Sequence, residues 1–309
     1  MLAKTTVERA GAIILAGGAI AASRSTANST ATNSPTSERK EGPMKSTTRA
    51  AVAAVLVAVL LMALGSASVS ASGDKRFDAL IFSKTAAFRH TECIPEGTVA
   101  IAQMAARRGF EVDATENAAA FTDQNLANYD VVIFLCTTGD VLNATQQEAF
   151  ERYIQAGGGY AGIHSASDTE YDWPWYGGLV GAYFLDHPFA PQFQVATMYV
   201  EDRHTAATNG LGTTWTREEE WYNFRTNPRD AGVHVLLTVD EDTYDPSGYT
   251  GSQGMGDDHP ISWCHPYDGG RSFYTALGHK GIYWEEPKVL SHVLGGIEMA
   301  AGAAKFRCG

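Results

Sequence analysis

The chain has 309 residues, of which 44% are apolar, and its 35 acidic and 23 basic side chains give a net charge of −12. That apolar content excludes wholesale disorder. The acidity, with no basic patch beyond the first 50 residues, excludes a nucleic-acid backbone binder. The length suits one large domain with a terminal segment and does not require two domains.

Residues 20–42 (IAASRSTANSTATNSPTSERKEG) are rich in Ser, Thr, Asn and Ala and cannot build a core. Met44 opens a different pattern. Lys45 and Arg49 give a positive start, Ala50 to Leu64 an apolar stretch, and Val69-Ser70-Ala71 small residues at a cleavage position. This is the order of a secretory signal peptide. The apolar run is short for a membrane span and no basic cluster follows it, so no stable membrane anchor is expected. The chain therefore divides into 1–43, a non-native or disordered extension, 44–71, a signal peptide, and 72–309, a folded domain exported to the exterior. That domain holds all nine His and all four Cys and has a net charge of −16. Cys93, Cys136, Cys264 and Cys308 allow one or two disulfides in an oxidising exterior, with the pairing left open.

The first strand of the domain is Phe77 to Ser83, followed by a polar loop and a helix from Pro95 to Arg108 that Gly109 stops. Phe110 to Ala114 reads as a strand, and Leu126 and Tyr129 end a short helix or turn. Asp130 to Cys136 (DVVIFLC) is almost wholly apolar, as a strand covered on both faces should be. A helix over Thr145 to Ala156 and a strand over Tyr160 to Ile163 follow. This alternation predicts right-handed crossovers and an α/β fold: an open, mostly parallel, flavodoxin-like sheet with helices on both faces. Strands are further expected at Gln194 to Val200, Val233 to Val239, Ile261 to Cys264 and Arg271 to Leu277, with a terminal helix over Glu286 to Ala301.

Open α/β sheets bind ligands beyond the carboxyl ends of their strands. Here those ends are polar. They carry Lys84, Arg89 and His90 after the first strand, Thr137 to Asp140 after the third, and His164, Ser165, Ser167 and Asp168 after the fourth. His164 occupies a strand-to-helix turn, a place for a base, a nucleophile or a metal ligand. His187, His204, His259 and His279 lie in polar loops beside Asp, Pro or Gly. Glu218, Glu219 and Glu220 precede Trp221 and Tyr222; the run reads most simply as a solvated edge, and otherwise as an acid/base carboxylate beside aromatic rings. Trp173, Trp175, Tyr176 and Tyr183 offer surface for a sugar face or for the core. No GxGxxG or GxxxxGK[ST] occurs, so no nucleotide cofactor is expected. No HExxH or CxxC pattern occurs either, so no resident metal is expected, although the loop histidines leave a divalent ion open.

Several stretches together resemble the ThuA-like (trehalose-utilisation) family. They are FRHTECIPEG, FLCTTGDVLNATQQEAFERYIQAGGGYAGIHSASDTEYDWPWYGGLVGAYFLDHP, EDRHTAATNG, EEEWYNFRTNPRDAGVHVLLTVDEDTY and GDDHPISWCHPYDGGRSFYTALGH, spanning most of residues 76–304. The resemblance implies the fold of class I glutamine amidotransferases. The nucleophilic Cys of those enzymes sits in a strand-to-helix elbow, and His164 takes that place here, which argues against glutamine hydrolysis. It further implies a link to sugar utilisation and carries over His90, His164, Asp168, His187, His204, Glu219, Glu220, His259 and His279. In FRHTECIP, Cys93 stands near a Ser usual in relatives.

The candidate catalytic residues are then His164, Glu220, Asp168 and His279. The candidate substrate contacts are His90, Thr138, His187, Trp175, Tyr222 and His259. The expected function is a secreted carbohydrate-active enzyme working on a neutral glycoside or an oxidised (keto) sugar by His/carboxylate acid–base chemistry. The alternatives are a non-catalytic sugar-binding module and a degenerate amidotransferase-like scaffold for protein contacts. The expected partner is a neutral saccharide; the sequence specifies no oligomeric state.

Overall fold

The computed structural model describes residues 76–309. The expected extension and signal peptide lie outside the described residues. In chain order the elements are β1 (Asp78–Phe82), α1 (Cys93–Arg108), β2 (Glu111–Thr115), α2 (Asp123–Leu126), β3 (Val131–Leu135), α3 (Ala144–Gln155), β4 (Gly159–Ile163) and α4 (Pro174–Val180). They continue with β5 (Phe184–Asp186), β6 (Gln194–Val200), β7 (Thr214–Glu219), β8 (Asn223–Phe224), β9 (His234–Val239), β10 (Pro260–Tyr267), β11 (Gly270–Thr275) and α5 (Pro287–Ala300).

Nine strands form one sheet in the order β2-β1-β3-β4-β11-β10-β9-β6-β7, and β5 and β8 pair separately. From β2 to β11 the neighbours run parallel; from β11 to β7 each pair is antiparallel. The fold is thus α/β, with a mixed sheet flanked by helices on both faces. The apolar runs explain the centre: β3 and β4 are buried at every position, whereas edge strand β2 is mostly exposed. In α1 the buried residues Cys93, Ile94, Gly97, Ala100, Ile101, Met104 and Ala105 recur at helical spacing, and Gly109 ends the helix at φ 76°. Asn143 and Gln146 form a reciprocal capping box at the start of α3.

Two disulfides are present. Cys93–Cys136 ties the start of α1 to the end of β3, and Cys264–Cys308 ties β10 to the C-terminus. Among the described residues no helix is long and apolar enough to cross a membrane.

The run Glu218 to Glu220, read most simply as a solvated edge, overlaps the end of strand β7. The strand's inward positions, Trp215, Arg217 and Glu219, are buried, and Thr214, Thr216 and Glu218 face outward. Period-2 alternation splits the three glutamates: Glu218 is exposed and Glu219 buried, and Glu220, just past the strand end, is buried as well.

Candidate functional site

The site forms at the carboxyl ends of the parallel strands. Strands β4 and β11 are neighbours with Ile163 opposite Thr275, so His164 and Ala276 leave the sheet side by side. His164 has φ 52°, in the left-handed region, and opens a 3-10 turn over His164–Ser167. A non-glycine residue held there is uncommon and marks an over-determined position. The determinants are visible: Tyr274 donates its hydroxyl to the His164 carbonyl at 2.8 Å, and the His164 ring Nδ1 lies 2.7 Å from the Ala276 carbonyl. A carbonyl only accepts, so Nδ1 carries the proton and Nε2 presents its lone pair in the neutral ring. That Nε2 is 3.0 Å from the Tyr222 hydroxyl, 3.0 Å from His279 Nδ1 and 3.2 Å from Glu220 Oε2.

Glu220 is the hub. Its Oε2 is 2.7 Å from His279 Nδ1, and its Oε1 accepts from Gln192 at 2.5 Å and lies 3.3 Å from His187 Nε2. Burial raises the carboxyl pKa, but the adjoining imidazoles of His164 and His279 outweigh it and hold the group well below the usual carboxylate range. Glu219 stabilises the frame. One of its oxygens accepts from the Gly278 backbone N–H at 3.0 Å, and the other from the N–H groups of Glu220 at 3.1 Å and His279 at 3.4 Å.

His90 enters from the loop after β1, with Nδ1 3.2 Å from Ser165 Oγ. Burial, reinforced by His164 and His279, pushes its pKa down to about 2, so its ring is neutral. One donor atom from each of His90, His164, Glu220 and His279 lies within 4.8 Å of the others. Asp168 is half-buried, and burial raises its carboxyl pKa even though Tyr171 donates to it at 2.7 Å.

These groups face a cavity of about 340 Å³ lined by His90, Asp168, His187, Glu220, Tyr222 and His279, together with Phe88, Phe184, Phe189, Gln192 and Tyr249. Phe88, Phe189 and Tyr249 are exposed, an aromatic rim around a polar floor. A more open depression of about 510 Å³ beside α1 offers only Arg89 and Glu116 as charged groups, and they pair with each other at 2.7 Å.

Of the residues singled out in the sequence, His90, His164, Asp168, His187, Glu220, Tyr222 and His279 come together. Three others stand apart from the cavity. Trp175 donates its indole N–H to Asp268 and packs against Tyr267 and Phe150. Thr138 is buried and donates to the Phe88 carbonyl, which fixes the loop but not a ligand. His259 is buried between the Tyr222 carbonyl and Glu241, each at 2.7 Å. Its part is to hold the Tyr222 backbone. Trp173 and Trp221 are likewise core residues. The rim aromatics Phe88, Phe189 and Tyr249, and the braces Gln192, Ser165 and Glu219, were not among the candidates. Exposed loop aromatics carry no periodicity; Ser165, as a polar strand-end residue, and Glu219, through the resemblance, did give a signal.

Comparison with known proteins now bears on this geometry. A ThuA-like protein of Bacteroides uniformis superposes with a TM-score of 0.61 at 24% identity, covering 72% of this chain and 90% of that one. One from Parabacteroides merdae gives 0.58 at 19% identity, covering 75% and 93%. At these identities the likeness shows the fold alone. No curated protein matches the chain. The family model for ThuA, trehalose utilisation, matches residues 78–300, most of the chain, and the protein belongs to that family.

Proposed function

We propose that the protein is a secreted carbohydrate-active enzyme that acts on a neutral glycoside or a keto sugar by histidine–carboxylate proton transfer. The observation that carries this reading is the cavity: two carboxylates, Asp168 and Glu220, and the imidazoles of His90, His187 and His279 line one pocket, with His164 directly beneath. Its volume of about 340 Å³ suits a sugar-sized ligand. The exposed rings of Phe88, Phe189 and Tyr249 offer apolar faces on which a pyranose could stack. The net charge of −16 over residues 72–309 disfavours polyanionic substrates.

The division of labour follows from position. Asp168, which holds its proton more tightly than an ordinary aspartate, suits the acid. Glu220, braced by Gln192 and the histidines, suits the group that stabilises developing positive charge or accepts a proton. Membership of a trehalose-utilisation family supports a saccharide substrate. Two disulfides and the signal-like segment at 44–71 support export.

The test is a product screen of the secreted protein against neutral glycosides and their keto forms. Turnover of at least one, abolished by Asp168→Asn with the melting temperature little changed, is the expected result. The rim aromatics favour one second reading, a non-catalytic binding module. Saccharide binding without turnover, lost in Phe189→Ala, would establish it instead. N-terminal sequencing of exported protein should begin near Ser72; retention of residues 1–43 would refute the export reading.

A further inference from the structure

We infer that His164, His279 and Glu220, with His90 alongside, form a binding site for one divalent transition cation of the zinc class. The first argument is geometric. The three donor atoms His164 Nε2, His279 Nδ1 and Glu220 Oε2 make a triangle with edges of 3.0, 2.7 and 3.2 Å. Zinc binds nitrogen and carboxylate oxygen at about 2.0–2.2 Å, which places neighbouring donors of a tetrahedral shell about 3.3 Å apart. A triangle of this size is close to one face of that shell. The fourth donor, a ring nitrogen of His90, lies within 4.8 Å of the other three.

The second argument counts protons. The Ala276 carbonyl claims the proton of His164 on Nδ1, so in the neutral ring Nε2 brings none. Four close approaches meet at this point: Tyr222 to His164, His164 to His279, His279 to Glu220 and His164 to Glu220. Glu220 as a carboxylate is acceptor-only, so the neutral cluster has two protons for them, one on the Tyr222 hydroxyl and one on His279 Nδ1. Lone pairs are left facing one another in a buried pocket. A cation seated about 1 Å off the plane of the triangle, at normal bond length from all three donors, takes up those lone pairs at once; a second proton on His164 is the competing solution, and metal analysis separates the two.

The third argument concerns support. Ligating histidines are ordinarily oriented through their other nitrogen by a carbonyl or polar group. His164 has the Ala276 carbonyl in that role, and the Nδ1 of His90 has Ser165 Oγ. A donor set of imidazoles and one carboxylate suits zinc, cobalt or nickel rather than calcium or magnesium, which prefer all-oxygen shells. The absence of a short sequence motif is explained by topology. The donors come from the loop after β1, the end of β4, the end of β7 and the loop after β11. The sequence-based expectation of no resident metal rested on motif spacing, which such a site does not use.

This inference deepens the proposed function but is read independently of it. The full chain is stripped with a chelator, dialysed and titrated calorimetrically with zinc chloride, and in parallel with cobalt chloride followed by visible absorption. We expect one equivalent of zinc, a cobalt d–d band, and a melting temperature raised by zinc. His164→Ala and His279→Gln should each weaken zinc binding by more than about 100-fold, since even outer supporting groups cost 10–100-fold. Exposed His204→Ala should leave it unchanged. His279→Gln, on the more open side, serves if His164→Ala fails to fold. Binding of less than half an equivalent, or unchanged affinity in His279→Gln, would overturn the site. A protein that binds zinc but processes no sugar would overturn only the proposed function.

Discussion

Replacing Glu219 with Ala is expected to destabilise the protein far more than an ordinary strand-end substitution. Its carboxylate is fully buried and holds three backbone N–H groups, those of Gly278, His279 and Glu220. It also lies 3.3 Å from Arg217, whose side chain is 3% exposed. Arg217 has a second partner in Glu286 at 3.3 Å, but that residue is 40% exposed, and Arg217 Nη1 already lacks a partner. Removing Glu219 therefore leaves three amides without their acceptor and a buried guanidinium with only the Glu218 carbonyl, at 3.1 Å, and the exposed Glu286 as partners. Breaking a buried pair from one side costs about 3–5 kcal/mol, against a total stability of roughly 5–15 kcal/mol. Urea denaturation with two-state analysis measures the loss. The double variant Arg217→Leu/Glu219→Gln removes both charges and retains an amide oxygen for the N–H groups, so it should recover at least half of the deficit. A loss below about 1 kcal/mol for Glu219→Ala, or no recovery in the double variant, would refute the account.

Stability should fall as the solution is acidified through the range set by His292. Burial, with Arg217 adding to it, lowers the pKa of that ring from the usual 6.5 to about 4, so the unfolded chain binds more protons between these values. The full contribution is present above pH 6.5 and is lost on descending to 4, a loss of about 3 kcal/mol; His292→Gln should flatten that part of the pH–stability curve relative to wild type. Gly295→Ala, which by helix propensity alone would stabilise α5 by about 1 kcal/mol, should instead cost about 1–3 kcal/mol in a thermal melt, because the new Cβ meets the Ala206 backbone. Removing the Cys264–Cys308 disulfide by double Ala substitution opens a link between residues 44 apart and should lower the unfolding free energy by about 2–4 kcal/mol, measured in urea.

The centre of the parallel half was legible because its strands are short apolar runs bounded by turn residues: FDALIFS, DVVIFLC and YAGI match β1, β3 and β4. The antiparallel arm was legible only in part. Strand β7 hides because its buried face carries Arg217 and Glu219, a charged pair that mimics a solvated run. The site shows the same boundary. That polar groups gather at the strand ends was readable from the residues after each run. Which histidines meet was not, since it depends on β4 pairing with β11 across more than a hundred residues of sequence. Trp175, Thr138 and His259 were plausible from composition and loop position, yet hydrogen bonds to Asp268, Phe88 and the Tyr222 backbone commit them to structure.

The residue at the turn after β4 bears on whether glutamine hydrolysis is to be expected of this chain. In the amidotransferase arrangement a short thiol at this turn attacks a carbonyl carbon held directly above it. Here the turn is left-handed at His164, with φ 52°, and is fixed from both sides by Tyr274 and Ala276. An imidazole reaches further than a thiol, and its outer nitrogen ends among Tyr222, His279 and Glu220. With Nδ1 committed to a carbonyl, that ring is a poor nucleophile toward substrate but a well-oriented lone pair. The two cysteines nearest in sequence, Cys93 and Cys136, are joined to each other and offer no thiolate in its place. On the proposed reading, an imidazole at this turn suits proton transfer or ligation rather than covalent attack. His164→Cys should therefore fail to create glutaminase activity. The imidazoles beside the turn, His279 and His187, already lie 2.7 and 3.3 Å from Glu220, so a thiol placed there would meet bases engaged elsewhere.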